Sequence, residues 1–247
     1  MNEYGMIINI EESVTFVADG LALSGVLHRP NRPPRAVIIG CHGLLADKSS
    51  PKQLEMARCC TAKGLAYFRF DHRGCGASEG VFDAQTTLAN RRSDLIAAVR
   101  AAAGAVARSI PIGLFGSSLG GTVCLAASRQ INPFAMVTLA APVQSRSVRM
   151  PEDSPGSLID DMVARRLTFD ISADIRATHH ILVIHGSMDE TVPVENATTI
   201  YRLAKQPKKR MILSRGDHRI SDRSQQRRLI DAAVGWYVAC YGEQFKW

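Results

Sequence analysis

A serine held where a strand meets a helix is the clearest chemical signal in this chain. Gly116-Ser117-Ser118-Leu119-Gly120 is a G-x-S-x-G match with Ser118 at its centre. It follows a short apolar run, Ile112 to Phe115, and leads into a helical pattern through Arg129. Such a turn holds a serine in a strained bend with its hydroxyl proud of the sheet edge. Gly116 and Gly120 flank the bend, where a side chain would collide with backbone, and Gly121 lets the helix begin close to the strand. The helix N-terminus supplies free N–H groups and a positive dipole end, which suit a developing negative charge. A serine here could also simply cap the helix. The strand-turn-helix context favours a nucleophile. Gly76-Ala77-Ser78-Glu79-Gly80 is a second G-x-S-x-G match. It follows Arg73-Gly74-Cys75 rather than a strand and runs into no helix, so Ser78 reads as a loop residue.

A nucleophilic serine needs a base, an acid to orient the base, and N–H donors for the acyl oxygen. His218 is the candidate base. It lies in Ser214-Arg215-Gly216-Asp217-His218, a loop after the last strand, from which an imidazole can swing over Ser118. His28, His179 and His180 fall at the starts or wrong ends of strands. His42 and His185 each precede a glycine at a strand end, where a hydrogen bond that fixes the loop is the simpler role. His72 is a further competitor. Asp189, in Gly186-Ser187-Met188-Asp189-Glu190-Thr191-Val192-Pro193, is the candidate acid, placed to accept from Nδ1–H of His218 and set its tautomer. Glu190 and Asp217 are its rivals, although Asp217 adjoins His218 and sequence neighbours usually point apart. The oxyanion donors would be backbone N–H groups, of Leu119 after the nucleophile and of Leu44 in the His42-Gly43-Leu44 turn.

The elements that must carry these loops alternate. Val14 to Val17 and Leu21 to Leu27 are β-prone runs around Asp19-Gly20, a hairpin signal. Arg29 to Pro34 is a proline-rich loop. Arg35 to Gly40 reads as a strand buried on both faces. A helix follows over about Pro51 to Lys63, a strand over Leu65 to Phe70, and a helix over Thr87 to Ala103. After the Ser118 strand and helix come a strand at Ala135 to Ala140, a strand at Ile181 to His185, a helix at Pro193 to Ala204 with Pro193 in its first turn, a strand at Lys209 to Leu213 and a closing helix at Gln225 to Cys240. Alternation of this kind implies one domain over 1–247, with a mostly parallel sheet and helices on both faces. In such sheets ligands bind beyond the carboxyl ends of the strands.

One stretch, about 143–179, breaks the rhythm. Ser157-Leu158-Ile159-Asp160 resembles a capping box that opens a helix through about Leu167. Leu158, Ile159, Met162 and Val163 form an apolar stripe. The stripe either packs on the core or belongs to a small lid, in which Leu158, Met162 and Val163 would line an acyl pocket.

Composition restricts the alternatives. The chain has 247 residues, 46% hydrophobic and 21% charged, as soluble globular domains do. No signal peptide is recognisable and no apolar run reaches the roughly 18 residues of a membrane helix. Six cysteines, at 41, 59, 60, 75, 124 and 240, lack metal-ligand spacing and read as reduced thiols of a cytoplasmic protein. The net charge is +7, yet the basic residues are dispersed and no aromatic residues interleave with them. That patterning argues for solvated faces rather than a nucleic-acid platform.

Taken together, His42-Gly43-Leu44, Asp71 to Ser78, Gly116 to Gly120, His185 to Pro193 and Gly216-Asp217-His218 resemble the α/β-hydrolase superfamily, and more narrowly its small-lidded serine esterases and serine aminopeptidase-like hydrolases. The resemblance implies the α/β-hydrolase fold with a nucleophile at Ser118, an acid at Asp189 and a base at His218, in the chain order of that fold. It also implies oxyanion donors at Leu44 and Leu119 and a mainly structural Asp71-x-Arg73-Gly74 loop. A metal-free, cofactor-free hydrolase of small or medium carboxylic esters is the expectation, because the short lid argues against bulky lipids or peptides. A thioesterase or aminopeptidase would use the same residues, and a non-catalytic binder on this fold is the reading from another class.

Overall fold

The computed structural model describes residues 10–149 and 166–245. Eight strands form one sheet in the order β1-β2-β4-β3-β5-β6-β7-β8. β1 (Ile10–Ala18) and β2 (Leu21–Arg29) make the hairpin, turning through Asp19 and Gly20, both at positive φ. β2 pairs antiparallel with β4 (Ala66–Phe70), and from there every pairing is parallel: β4 with β3 (Val37–Cys41), then β5 (Ile112–Ser117), β6 (Ala135–Leu139), β7 (Ile181–Gly186) and β8 (Lys208–Leu213).

Every residue of β3, β4, β6 and β7 is buried, because both sheet faces are covered. The pleat sends alternate side chains to opposite cores. Val37, Ile39 and Cys41 enter one core with α3 (Leu88–Val106) and α4 (Leu119–Ile131); Ile38 enters the other with α1 (Pro51–Ala62) and α7 (Arg223–Gln244). A four-residue turn of helix, α2 (Phe82–Gln85), precedes α3. Thr87 caps α3 by accepting from Asn90 N–H, and Asp222 caps α7 by accepting from Gln225 N–H. Such caps are worth about 1 kcal/mol each. β8 lies at the sheet edge with Lys208, Lys209 and Arg210 on it, charges that discourage edge-to-edge pairing.

The structure differs from the sequence reading most in three places. After Gly80, where the sequence reading has no helix, Phe82–Gln85 form the one-turn α2, in which Gln85 N–H donates to the Val81 carbonyl. The helix after Pro193, α6 (Glu195–Leu203), starts two residues late. The Pro193 carbonyl accepts from Asn196 N–H in a tighter lead-in turn, so proline precedes the regular helix. Between β6 and β7 the described residues also hold a 3₁₀ turn at Ser145–Ser147, a bridge between Gln144 and Asp170, and the short α5 (Ser172–Ile175), for which the polar sequence carried no signal. The capping box at Ser157 and the stripe of Leu158, Ile159, Met162 and Val163 lie outside the described residues; Leu167, at the end of that predicted helix, is buried in the core. Among the described residues no helix is long and apolar enough to cross a membrane.

One buried group gives the fold a pH dependence. His28 on β2 accepts from Arg69 Nε at 2.7 Å, and its Nδ1 lies 3.5 Å from Glu11. Burial and then the Arg69 charge push it from its ordinary 6.5 down to about 4. The unfolded chain therefore binds a proton in this window that the native chain refuses. The stabilisation is complete above pH 6.5 and is lost as pH falls toward 4. The melting temperature should drop across that range, and His28→Gln should flatten the drop; an unchanged slope would reject this origin.

Candidate active site

Ser118 occupies the bend between β5 and α4 at φ 52° and ψ −125°. A non-glycine residue held there costs about 1–3 kcal/mol, which the surrounding structure must supply. Part of that support is the Ser118 N–H, which donates to the Leu139 carbonyl on β6 at 2.7 Å. The glycines allow the bend. A Cβ on Gly116 would sit 2.5 Å from the Gly120 carbonyl oxygen, and one on Gly120 would sit 2.2 Å from the Cys41 carbonyl oxygen on β3. Gly120→Ala should accordingly lower the melting temperature sharply, the cost exceeding the roughly 1–3 kcal/mol of ordinary overpacking because backbone must move. A variant that melts like the parent would show that the close approach is not needed.

Asp189 and His218 meet because two loops are sewn together. A Cβ on Gly186 would fall 2.2 Å from the Gly216 carbonyl oxygen, so the chain after β7 touches the chain after β8. Met188 N–H donates to Gly216 O at 2.9 Å, and Arg215 N–H to Ser187 Oγ at 2.8 Å. Across this seam His218 Nδ1 lies 2.9 Å from Asp189 Oδ2 and 3.0 Å from Oδ1. Its Nε2 lies 3.1 Å from Ser118 Oγ. The rival carboxylates do other things. Glu190 accepts from the His218 backbone N–H, and Asp217 accepts from Ser221 N–H.

The Asp189 carboxylate is itself tightly held. Oδ1 accepts from Thr191 N–H at 3.0 Å and from Val192 N–H at 2.7 Å. Burial works to raise its pKa, but hydrogen bonds from His185, His218 and Val192 outweigh it, and the carboxyl sits well below the usual range.

The other histidines separate by role. His185 donates from Nε2 to the Val192 carbonyl at 2.8 Å, a bond that fixes the loop, and the same nitrogen lies 3.1 Å from Asp189 Oδ2. Sequence reasoning missed this second contact. Its one trace in the sequence is the four-residue spacing between His185 at the strand end and Asp189 in the loop that follows. His42 donates from Nδ1 to Gly43 O at 2.8 Å and accepts from His72 N–H at Nε2. The His72 ring lies between Cys41 Sγ and Asp94, fully buried. His179 and His180 pair with each other where β7 begins, at the end of the sheet away from Ser118.

The Leu44 turn packs beside Ser118: a Cβ on Gly43 would lie 3.4 Å from Ser118 Cβ. Among the described residues neither the Leu44 nor the Leu119 N–H donates to a protein acceptor. The loop after β4 braces the site. Asp71 pairs with Lys48 and accepts from Ala77 N–H, while Arg73 forks onto Asp94 Oδ1 at 2.6 and 2.8 Å. Ser78, the second motif serine, donates to Asp71 O and accepts from Ser24 N–H, which ties that loop to β2.

This fold, with a serine on a strained turn beyond β5 and an imidazole and a carboxylate on the turns beyond β8 and β7, defines an α/β-hydrolase. The sequence model described as serine aminopeptidase, S33, matches residues 32–166, more than half of the chain, and the protein belongs to that family. An uncharacterized protein of Salmonella typhi, YfhR, is 29% identical over 248 residues, covering 93% of this chain and 78% of the relative. The mouse mitochondrial palmitoyl-protein thioesterase ABHD10 is 26% identical over 223 residues, covering 78% of this chain and 72% of its own. Among solved structures, Est1E from Butyrivibrio proteoclasticus with ferulic acid bound shares the fold at a TM-score of 0.80 and 19% identity, over 93% of this chain and 99% of that one.

Proposed function

We propose that the protein hydrolyses carboxylic esters of small to medium acyl or alcohol groups through an acyl-Ser118 intermediate. The observation that carries this reading is the unbroken chain from Asp189 Oδ2 through His218 to Ser118 Oγ, at 2.9 and 3.1 Å. Asp189 fixes the proton on Nδ1, which leaves Nε2 as a base facing the hydroxyl. Ser118 Oγ attacks the acyl carbon as its proton passes to Nε2. The tetrahedral oxyanion lies against the N–H groups of Leu44 and Leu119, which have no other protein acceptor among the described residues. His218 then protonates the leaving alcohol. Water then attacks the acyl carbon as its proton passes to the same nitrogen, and the C–Oγ bond breaks with that proton returning to Ser118 Oγ, which releases the acid.

A thioester reading is favoured by the likeness to ABHD10, whose name is that of a palmitoyl-protein thioesterase. The same residues serve either leaving group. The two are separated by kcat/KM for matched acyl series offered as p-nitrophenyl esters, as acyl thioesters and as aminoacyl anilides. The ester reading expects the oxygen esters of short acyl chains to lead. A clear preference for long-chain thioesters would move the assignment to the second reading, and a preference for anilides would overturn both.

A further inference from the structure

Arg91 is the largest fully buried side chain among the described residues, 1% exposed, on the inner face of α3. No carboxylate among the described residues forms an ion pair with it, and its Nε finds no partner. Its guanidinium reaches the oxyanion turn instead. Nη1 lies 3.3 Å from the Gly43 carbonyl oxygen and Nη2 lies 3.3 Å from the Leu44 carbonyl oxygen, with Cys75 Sγ at 3.6 Å from Nη2. The Gly43 carbonyl also accepts from His42 Nδ1 at 2.8 Å.

The Gly43 carbonyl and the Leu44 N–H belong to one peptide plane. In a trans peptide they point in opposite directions. Two donors on the oxygen therefore fix where the hydrogen points, and the peptide cannot turn over without abandoning both bonds. A cation on the oxygen also polarises the amide and makes its N–H a stronger donor, most of all where the surroundings exclude water. Burial pushes the guanidinium pKa down, with Cys75, Cys41 and Asp94 opposing the shift; arginine remains charged in proteins. A buried charge is costly unless paired or hydrogen-bonded, and the oxygens this one reaches are the carbonyls of the Gly43–Leu44 turn.

We infer that Arg91 is a positioning residue for the oxyanion hole, holding the Gly43–Leu44 peptide so that its N–H faces the acyl oxygen and lending that N–H the field of a buried cation. The inference rests on the ester-hydrolase reading of Ser118. It predicts a loss confined to the transition state. With rates expressed per active site, Arg91→Met should lower kcat on a p-nitrophenyl ester about 10²-fold, the effect of losing one oxyanion donor, with KM nearly unchanged. A trifluoromethyl ketone with the same acyl group, which adds Ser118 Oγ to form a hemiketal oxyanion, should bind weaker by the same factor. Binding of the free carboxylic acid should not change. Arg91→Lys, which keeps the charge but not the fork, should recover part of kcat and serves as the test if the methionine variant does not fold.

A purely structural arginine would lower the melting temperature or the fraction of active sites and leave per-site kcat and the ketone affinity alone. That result overturns the inference while the wild type remains inhibited by the ketone. A wild type inert to the ketone overturns the serine-hydrolase reading, and this inference with it.

Discussion

Ser118→Ala should remove the proposed ester turnover, lowering kcat on the order of 10⁶-fold, as loss of a nucleophile does where serine and imidazole act as a unit. The folded state should not register the change. Alanine at φ 52° carries the same backbone strain as serine, and the Ser118 N–H bond to Leu139 is backbone. Among the described residues the one side-chain bond of Ser118 Oγ goes to His218 Nε2. The measurement is a single-turnover rate together with a thermal melt. Turnover within about tenfold of the parent would mean that a water or another residue attacks, and would remove Ser118 from the mechanism.

Asp189→Asn should cost about 10⁴ in kcat, for a reason visible in the hydrogen bonds. Oδ1 of Asp189 accepts two backbone N–H groups, from Thr191 and Val192. An asparagine keeps its carbonyl oxygen at that position. Its NH₂ then replaces Oδ2 and meets His218 Nδ1 at 2.9 Å and His185 Nε2 at 3.1 Å. Donor faces donor at both, and the retained Oδ1, 3.0 Å from His218 Nδ1, is already taken by the Thr191 and Val192 N–H groups. His218 escapes by moving its proton to Nε2, and that N–H now points at the Ser118 oxygen, where a lone pair is needed. The loss should appear in kcat more than in KM. A near-parental rate would show that a different carboxylate orients His218, and Glu190→Gln and Asp217→Asn would then identify it.

Much of this arrangement is legible in the sequence because it is local. The bend at Ser118 follows from glycines at 116 and 120 between an apolar run and a helical one, and the β1–β2 hairpin follows from Asp19-Gly20 between alternating strands. The loops bearing Asp189 and His218 each follow an apolar run, so a parallel sheet puts them at one end. What is not legible depends on contacts between distant segments. Strand order is one case: β2 pairs with β4 rather than β3, and nothing in Leu21 to Arg29 names its neighbour. The near-contact of Gly186 with Gly216 brings Asp189 and His218 together, yet each reads as an ordinary turn glycine. Arg91 reads as one half of a dibasic pair, Arg91-Arg92, on a helix rich in alanine and arginine, although its guanidinium ends on a turn 47 residues away in sequence. His185 shows the same limit. Its glycine neighbour signals a fixed loop, but not that the ring also touches the carboxylate of Asp189. In each case the deciding information is which surfaces pack, and a residue pattern along one element does not contain it.

The most direct test of the central claim is covalent labelling of the wild-type protein with a fluorophosphonate, followed by mass mapping of the adduct. The account predicts one phosphonyl group on Ser118, with labelling slowed strongly in His218→Ala because the hydroxyl has lost its base. Rapid ester turnover by a protein that carries no adduct at Ser118, or that carries it on Ser78 or another residue instead, would contradict it.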